Sequence, residues 1–252
     1  MKNSTIIQCE GVHKSFATAG AEVDVIRGVT LDVAKGDFTV LMGGSGSGKS
    51  TLLYLLSGLE SYDRGQVLFD GHDIAGLDES RLSLLRREGM GFVFQAFNLV
   101  PDLTLLENVL IAGYLGSRSN PEMEQQALSL LAKLGLAKLK NRLPSQVSGG
   151  EQQRASIARA LINSPTVLFA DEPTGALNSA AGKAVLDNFA DLSQQGQTLF
   201  MVTHELRAAC YGDRIIFMID GQIRGEFRFD TARENFADRE KQLFEWLTEQ
   251  GW

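Results

Sequence analysis

An α/β fold with a mostly parallel central sheet is expected of this 252-residue chain on three observations. A short apolar run, "DFTVLM", passes through the glycine-rich "MGGSGSGKST" (42–51) into the Leu-rich "KSTLLYLLSGL", so strand, glycine loop and buried helix follow one another directly. Three more apolar runs, "TVLFA", "TLFMVT" and "DRIIFMI", lack polar alternation, the mark of strands covered on both faces. Helical stretches alternate with them, as crossover helices do in a parallel sheet.

Each element can be read in order. Ahead of the glycine loop, "TIIQCEGVHKSF", "VDVIRGV" and "TLDVAKGD" are short strands separated by glycine turns. After it, "GQVLFDGHDI" is a strand ending in an Asp-Gly turn, and "DESRLSLLRRE" is a helix with Asp78 as N-cap. "MGFVFQ" is another strand. Across 104–163, Leu, Ala, Gln and Lys dominate at helical spacing, which marks a helical subdomain inserted in the core. Strands then resume, with "DRIIFMI" and "GQIRGEFRF" joined at Asp220-Gly221 and the helix "AAGKAVLDNFADLSQQG" ending at Gly196. In the tail, 230–252, "TARE" (231–234) has capping-box form, and Phe236, Leu243, Phe244 and Leu247 share one helical face. That face fits a terminal helix packed on its own domain, or a contact with a partner or second copy. The division expected is a catalytic core with a β-subdomain (1–103 and 164–229), the helical subdomain (104–163) and the tail.

Composition narrows the function. Hydrophobic content of 44% and charged content of 22% are those of ordinary globular domains. A net charge of −7 argues against a nucleic-acid partner, and no basic tract contradicts it. No apolar run approaches the roughly 20 residues of a membrane span, and "MKNSTIIQCE" has no signal-type apolar region. Cys9 and Cys210 match no metal or redox spacing and read as reduced core thiols of a cytoplasmic chain.

Three segments carry chemistry. Residues 43–50 fit G-x-x-x-x-G-K-[ST]. Several backbone N–H groups can converge on a phosphate chain where glycines keep Cβ atoms away, and the following helix N-terminus adds positive potential. Gly43, Gly44, Ser45, Gly46, Ser47, Gly48, Lys49, Ser50 and Thr51 form that cradle, with Lys49 on the β- and γ-phosphates and Ser50 on Mg²⁺. "TVLFADEPT" delivers Asp171 and Glu172 at a strand end. Asp171 is then a Mg²⁺ partner, and Glu172 orients or deprotonates the attacking water. "VSGGEQQR" places Ser148, Gly149 and Gly150 at a second helix start, a second anion site that needs a ligand of its own.

"GGSGSGKST", "VSGGEQQR" and "FADEPT", in this order, resemble the ATP-binding cassette (ABC) family over nearly the whole chain. The resemblance implies a P-loop NTPase fold of ABC type with an N-terminal antiparallel β-subdomain. It implies ATP and Mg²⁺ as ligands, and ATP hydrolysis coupled to transport. Phe16 in "VHKSF" stands where an aromatic ring stacks on adenine, although a core phenylalanine fits the same position. Gln95 in "GFVFQ" matches the glutamine that senses Mg²⁺ and water beside the membrane-subunit contact. His204 in "MVTHE" matches the histidine that contacts the γ-phosphate. "GALN" matches the loop that crosses the dimer, with Asn178 in place of the usual Asp. Ser148 and Gly150 would touch the γ-phosphate of ATP held by the P-loop of a second copy. The resemblance therefore implies a homodimer with ATP sandwiched between subunits, docked on a polytopic membrane permease at the cytoplasmic face of the membrane.

"GFVFQAFNLVPDLTLLENV" and "MVTHE" look like the macrolide-export and lipoprotein-release group. "DEPTGALNS" with "AACYGDRIIFMIDGQI" leans toward the bacitracin-resistance type, which handles antimicrobial peptides. A soluble cassette acting on DNA or ribosomes is the competing class. It is disfavoured because no coiled-coil insert fits between Lys49 and Ser148. A cassette that binds ATP without turning it over is disfavoured because Lys49, Glu172 and His204 are intact.

Overall fold

The computed structural model describes residues 4–18, 20–114, 120–229 and 235–252. In chain order the elements are β1 (Thr5–Thr18), β2 (Ala21–Ala34), β3 (Phe38–Gly43), α1 (Lys49–Leu56), β4 (Arg64–Phe69), β5 (His72–Asp73), α2 (Glu79–Gly89) and β6 (Met90–Phe94). They continue with α3 (Leu105–Tyr114), α4 (Asn120–Lys133), α5 (Gly149–Leu161), β7 (Val167–Asp171), α6 (Ser179–Gln194), β8 (Thr198–Thr203), α7 (Leu206–Ala209), β9 (Arg214–Ile219), β10 (Gln222–Arg228) and α8 (Phe236–Glu249). The chain forms two compact units, residues 1–82 with 193–252, and residues 83–192.

The first unit holds an antiparallel sheet of order β2-β1-β4-β5, the expected N-terminal β-subdomain. The three short strands expected ahead of the glycine loop are instead two long ones. Gly11 (φ 55°) and Gly28 (φ 71°) do not turn the chain. They lie inside β1 and β2, near the register shifts between Cys9 and His13, where a glycine with positive φ lets the strand bulge without breaking the ladder. The same unit holds strands in the order β10-β9-β3-β8, with β3 parallel to both neighbours and β10 antiparallel to β9. β3 and β8 are buried along their whole length, as their unalternating sequences require. Both Asp-Gly turns form: Asp70 and Gly71, and Asp220 and Gly221, have positive φ at both positions, the two-residue hairpin geometry that suits the twist of paired strands.

Arg214 ties this unit's two sheets together. Its side chain, buried at 6% exposure, donates to Asp32 O on β2 (2.5 Å) and pairs with Glu226 on β10 (2.6 Å). Burial by itself pushes the Glu226 carboxyl up. The hydrogen bond and charge of Arg214, with Arg228 beside it, outweigh that and hold its pKa below the ordinary 4.5. A carboxyl with a depressed folded pKa stabilises the fold above its unfolded pKa and stops doing so as pH falls through the folded one. The stability gap between the native chain and Glu226→Gln should therefore be full at neutral pH and close below pH 4.5. Urea midpoints measured across that range check it, and a gap independent of pH would refute the linkage.

The C-terminal helix packs on its own unit. Arg239, Leu243 and Leu247 are buried, and Trp246 lies against Phe217 and Phe227, with ring centroids 6.3 and 5.4 Å away. Gly225 makes the room, since a Cβ there would stand 2.9 Å from the indole. The buried face differs from the expected one. Phe244 points out at 51% exposure, while Arg239 turns in with its guanidinium 3.7 Å from the centre of the Phe229 ring. The "TARE" segment lies outside the described residues.

The second unit holds the parallel pair β6–β7 and the packed helices α3, α4 and α5. α2 starts in the first unit at the expected cap, with Asp78 Oδ1 accepting from Arg81 N at 2.8 Å, and runs into the second. α6 begins in the same way, with Asn178 Oδ1 accepting from Ala181 N at 2.9 Å.

Candidate functional site

In the first unit, β3 ends at Gly43 and α1 starts at Lys49, so the glycine loop bridges them as expected. Gly48, the N-cap of α1, is left-handed (φ 97°) and supplies no capping side chain. The loop is braced from behind by the β9–β10 hairpin. Gly221 N donates to Ser47 O at 3.0 Å, and a Cβ on Gly43 would collide with Met218 O and approach Ser47 Oγ at 2.8 Å. On Gly48 it would stand 2.9 Å from Val25 O. Gly44 is different in kind, because a Cβ there meets nothing within 4 Å and no protein atom demands a glycine. Lys49 is buried at 7% exposure and donates from Nζ to Gly44 O at 2.8 Å, so the ammonium folds back over the mouth of the loop. Ser47 Oγ is buried and makes no hydrogen bond to the described residues.

Gly43→Ala should lower stability by about 1–3 kcal/mol, the cost of forcing an extra carbon into a filled space. Gly44→Ala should lower it by much less. Paired thermal melts check the difference, and equal losses would contradict the bracing.

The parallel register places the histidine. Thr203 pairs with Met42, so His204 follows β8 alongside Gly43, the last residue of β3. Phe16 lies on β1 opposite Val23 and is 37% exposed, which removes the reading of it as a core residue. Lys14 Nζ sits 5.0 Å from the centre of its ring and pairs with Glu60 at 2.8 Å.

In the second unit, β7 delivers Asp171 and Glu172 from a fully buried strand. Phe94 pairs with Asp171, so Gln95 leaves β6 beside Glu172. Glu172 is left-handed (φ 47°), a conformation uncommon for a non-glycine residue and characteristic of positions held for a purpose. Its carbonyl accepts from Gly175 N at 3.0 Å, and a Cβ on Gly175 would come within 2.9 Å of Gln95 Nε2. Gln95, Asp171, Glu172 and the "GALN" turn are thus brought together.

The same unit carries the signature. Ser148 caps α5 in a reciprocal capping box: Glu151 Oε2 accepts from Ser148 N and from Ser148 Oγ, both at 2.7 Å. The Ser148 hydroxyl, then its amide, hold the Glu151 carboxyl below its ordinary pKa. Gly149 and Gly150 have a packing role besides the expected opening of backbone N–H groups. A Cβ on Gly150 would stand 2.8 Å from Ala181 Cβ, and one on Gly149 3.3 Å from Leu177 Cδ2.

Sequence reading misses two parts. One is the brace from Met218 and Gly221, which requires knowing that β9 lies next to β3. The other is Gln153, fully buried, whose Nε2 donates to Phe94 O (3.1 Å) and Pro173 O (2.6 Å) and so fastens both strand ends that carry Gln95 and Glu172. Cys9 and Cys210 are buried free thiols, as expected, and burial pushes each pKa up to about 12.

Residues 26–175 match the family model described as ABC transporter. The chain is 45% identical over 203 residues to the lipoprotein-releasing system ATP-binding protein LolD of Aquifex aeolicus, covering 81% of this chain and 91% of that one. It is 37% identical to the bacitracin export ATP-binding protein BceA of Halalkalibacterium halodurans, covering 92% of each. It is 43% identical to the macrolide export ATP-binding/permease protein MacB of Wolinella succinogenes over 86% of this chain, but spans only 34% of that protein's length. Among solved structures, the dimeric post-hydrolysis state of the cassette MJ0796 bound to ADP and Pi superposes with a TM-score of 0.82 at 37% identity, covering 90% of this chain and all of that one. Glycine cradle, carboxylate strand end and capped signature helix occur here in a chain whose residues 26–175 match the family model and of which 81% and 92% align with LolD and BceA, and the protein belongs to the ABC transporter family as an ATP-binding cassette.

Proposed function

We propose that the chain is an ATP-hydrolysing subunit that powers a polytopic membrane permease from the cytoplasmic face, working as a head-to-tail pair with ATP between the copies. The observation that carries this reading is the braced cradle. Gly43 and Gly48 have no room for a side chain, α1 starts without a capping side chain, and Lys49 lies over the loop. Such a cradle suits a polyphosphate held by backbone N–H groups.

Each candidate residue then has a role. Backbone from Gly43 to Thr51 wraps the phosphates, and Lys49 neutralises charge on the β- and γ-groups. Phe16 offers an exposed ring face to the adenine. Glu172 orients the attacking water and takes its proton, Gln95 positions that water, and His204 contacts the γ-phosphate. Ser148 and Gly150 close the site from the second copy. Ser50, Asp171 and Gln95 would each offer an oxygen donor to Mg²⁺, a hard cation that takes oxygen ligands and would offset phosphate charge. Among the described residues no group of three or more His, Cys, Asp or Glu could hold a metal by itself.

Among the described residues no helix is long and apolar enough to cross a membrane. This reading places the permease in a separate segment or subunit. Within the family we favour export of, or resistance to, antimicrobial peptides, on the segments "DEPTGALNS" and "AACYGDRIIFMIDGQI". Lipoprotein release and macrolide export are the alternatives, and the LolD identity supports the first of them.

Sedimentation tests the paired site. The Glu172→Gln chain should run as a monomer alone and as a dimer with Mg-ATP. A mass indifferent to nucleotide would overturn the proposal.

A further inference from the structure

The backbone that follows Gln95 is held in an unusual way. Phe97 (φ 56°) and Asn98 (φ 52°) are consecutive non-glycine residues in the left-handed region, a combination that does not persist without outside support. The support is Arg159, in the last turn of α5. Its Nη2 donates to Phe97 O at 2.8 Å and its Nη1 to Asn98 O. A guanidinium presents two donors in one rigid plane, so it can fix two successive carbonyls at once. These carbonyls are its hydrogen-bond partners among the described residues, and burial lowers its pKa without a carboxylate to oppose it.

The loop touches the front of the same helix as well. The Phe97 ring comes within 3.5 Å of the place a Cβ would take on Gly149, beside the capping Ser148. Further on, the loop is pinned independently, with Asn108 Oδ1 accepting from Val100 N at 2.7 Å.

We propose that Arg159 is a positioning residue that makes residues 96–99 and the signature helix move as one body, so that what Ser148 engages is transmitted to the backbone after Gln95. The transmission rests on the ATP reading above, while the clasp itself does not. Nothing about the clasp requires Arg159 to touch nucleotide. A guanidinium can hold both carbonyls, an ammonium can reach one, and a thioether can hold neither.

Amide hydrogen exchange on the full chain separates these statements. Without nucleotide, Phe97, Asn98 and Leu99 should exchange about tenfold faster in Arg159→Met than in the native chain, with Arg159→Lys between them. The Val100 amide, held by Asn108, should change little. Unchanged exchange at 97–99 in both variants would overturn the clasp, whatever becomes of the ATP reading. If Arg159→Met does not fold, the Arg159→Lys arm decides alone. In the Glu172→Gln background, Mg-ATP should slow exchange at 97–99 where Arg159 is present and fail to do so in Arg159→Met. Equal slowing in both, with nucleotide binding confirmed separately, would overturn the transmission.

Discussion

Glu172→Gln is expected to bind Mg-ATP and to hydrolyse it roughly 10²–10⁴-fold more slowly than the native chain, the usual worth of a positioned general base. The exchange keeps the shape and most of the hydrogen bonding of the side chain and removes its basicity. On the function proposed above, binding survives because the loop between β3 and α1 would supply the phosphate contacts, whereas Glu172 leaves β7. The left-handed backbone at Glu172 is anchored by its own carbonyl to Gly175 N, so the substitution leaves the turn intact. Single-turnover kinetics with a parallel binding assay check both halves. Hydrolysis within a few-fold of the native rate would remove Glu172 from the reaction, and loss of binding would assign it to the nucleotide instead.

Lys49→Ala should abolish detectable turnover and weaken nucleotide binding severely, while the chain still folds. Lys49 carries a point charge and donates a hydrogen bond to Gly44 O within its own loop. On the proposed function the transferring phosphoryl group would lose the cation that offsets its charge, and electrostatic stabilisation supplies much of the rate enhancement in such reactions. Calorimetric titration with ATP and a thermal melt check the two statements together. Turnover near the native rate would refute the assignment, and a melt collapsed by many degrees would make Lys49 structural.

The parts of this protein that can be read from sequence are those written in local chemistry. Asp78 caps α2 through a hydrogen bond three residues away, and Asp220-Gly221 closes a hairpin between adjacent strands. The glycine loop is local too, since strand, loop and helix follow without interruption. What cannot be read depends on pairing across long separations. Gly28 has the look of a turn, and becomes a bulge only because β1 runs beside β2 throughout. Gly43 needs to be glycine because of Met218 O, brought there by the register of β3 with β9. Gln153 has the composition of a solvent-facing residue in a helix, yet it is buried as the staple between two strand ends. In α8 the helical period is plain in the sequence, but the buried face is not. A period does not say that Arg239 will lie over the Phe229 ring while Phe244 stays in water.

Cross-linking is the most direct check on two copies sharing each nucleotide. One population carries Gly44→Cys, where a new side chain meets open space, and the other carries Val147→Cys, next to the signature serine. Both are made in the Glu172→Gln background so that ATP persists. Cys9 and Cys210, buried and with pKa values of about 12, do not compete for the oxidant at neutral pH. Mixing the two with Mg-ATP and a mild oxidant should give a disulfide-linked species of twice the chain mass that contains one chain of each kind. It should be absent without nucleotide. Cross-links only between identical chains, or a mixed cross-link that forms equally well without ATP, would contradict the head-to-tail sandwich.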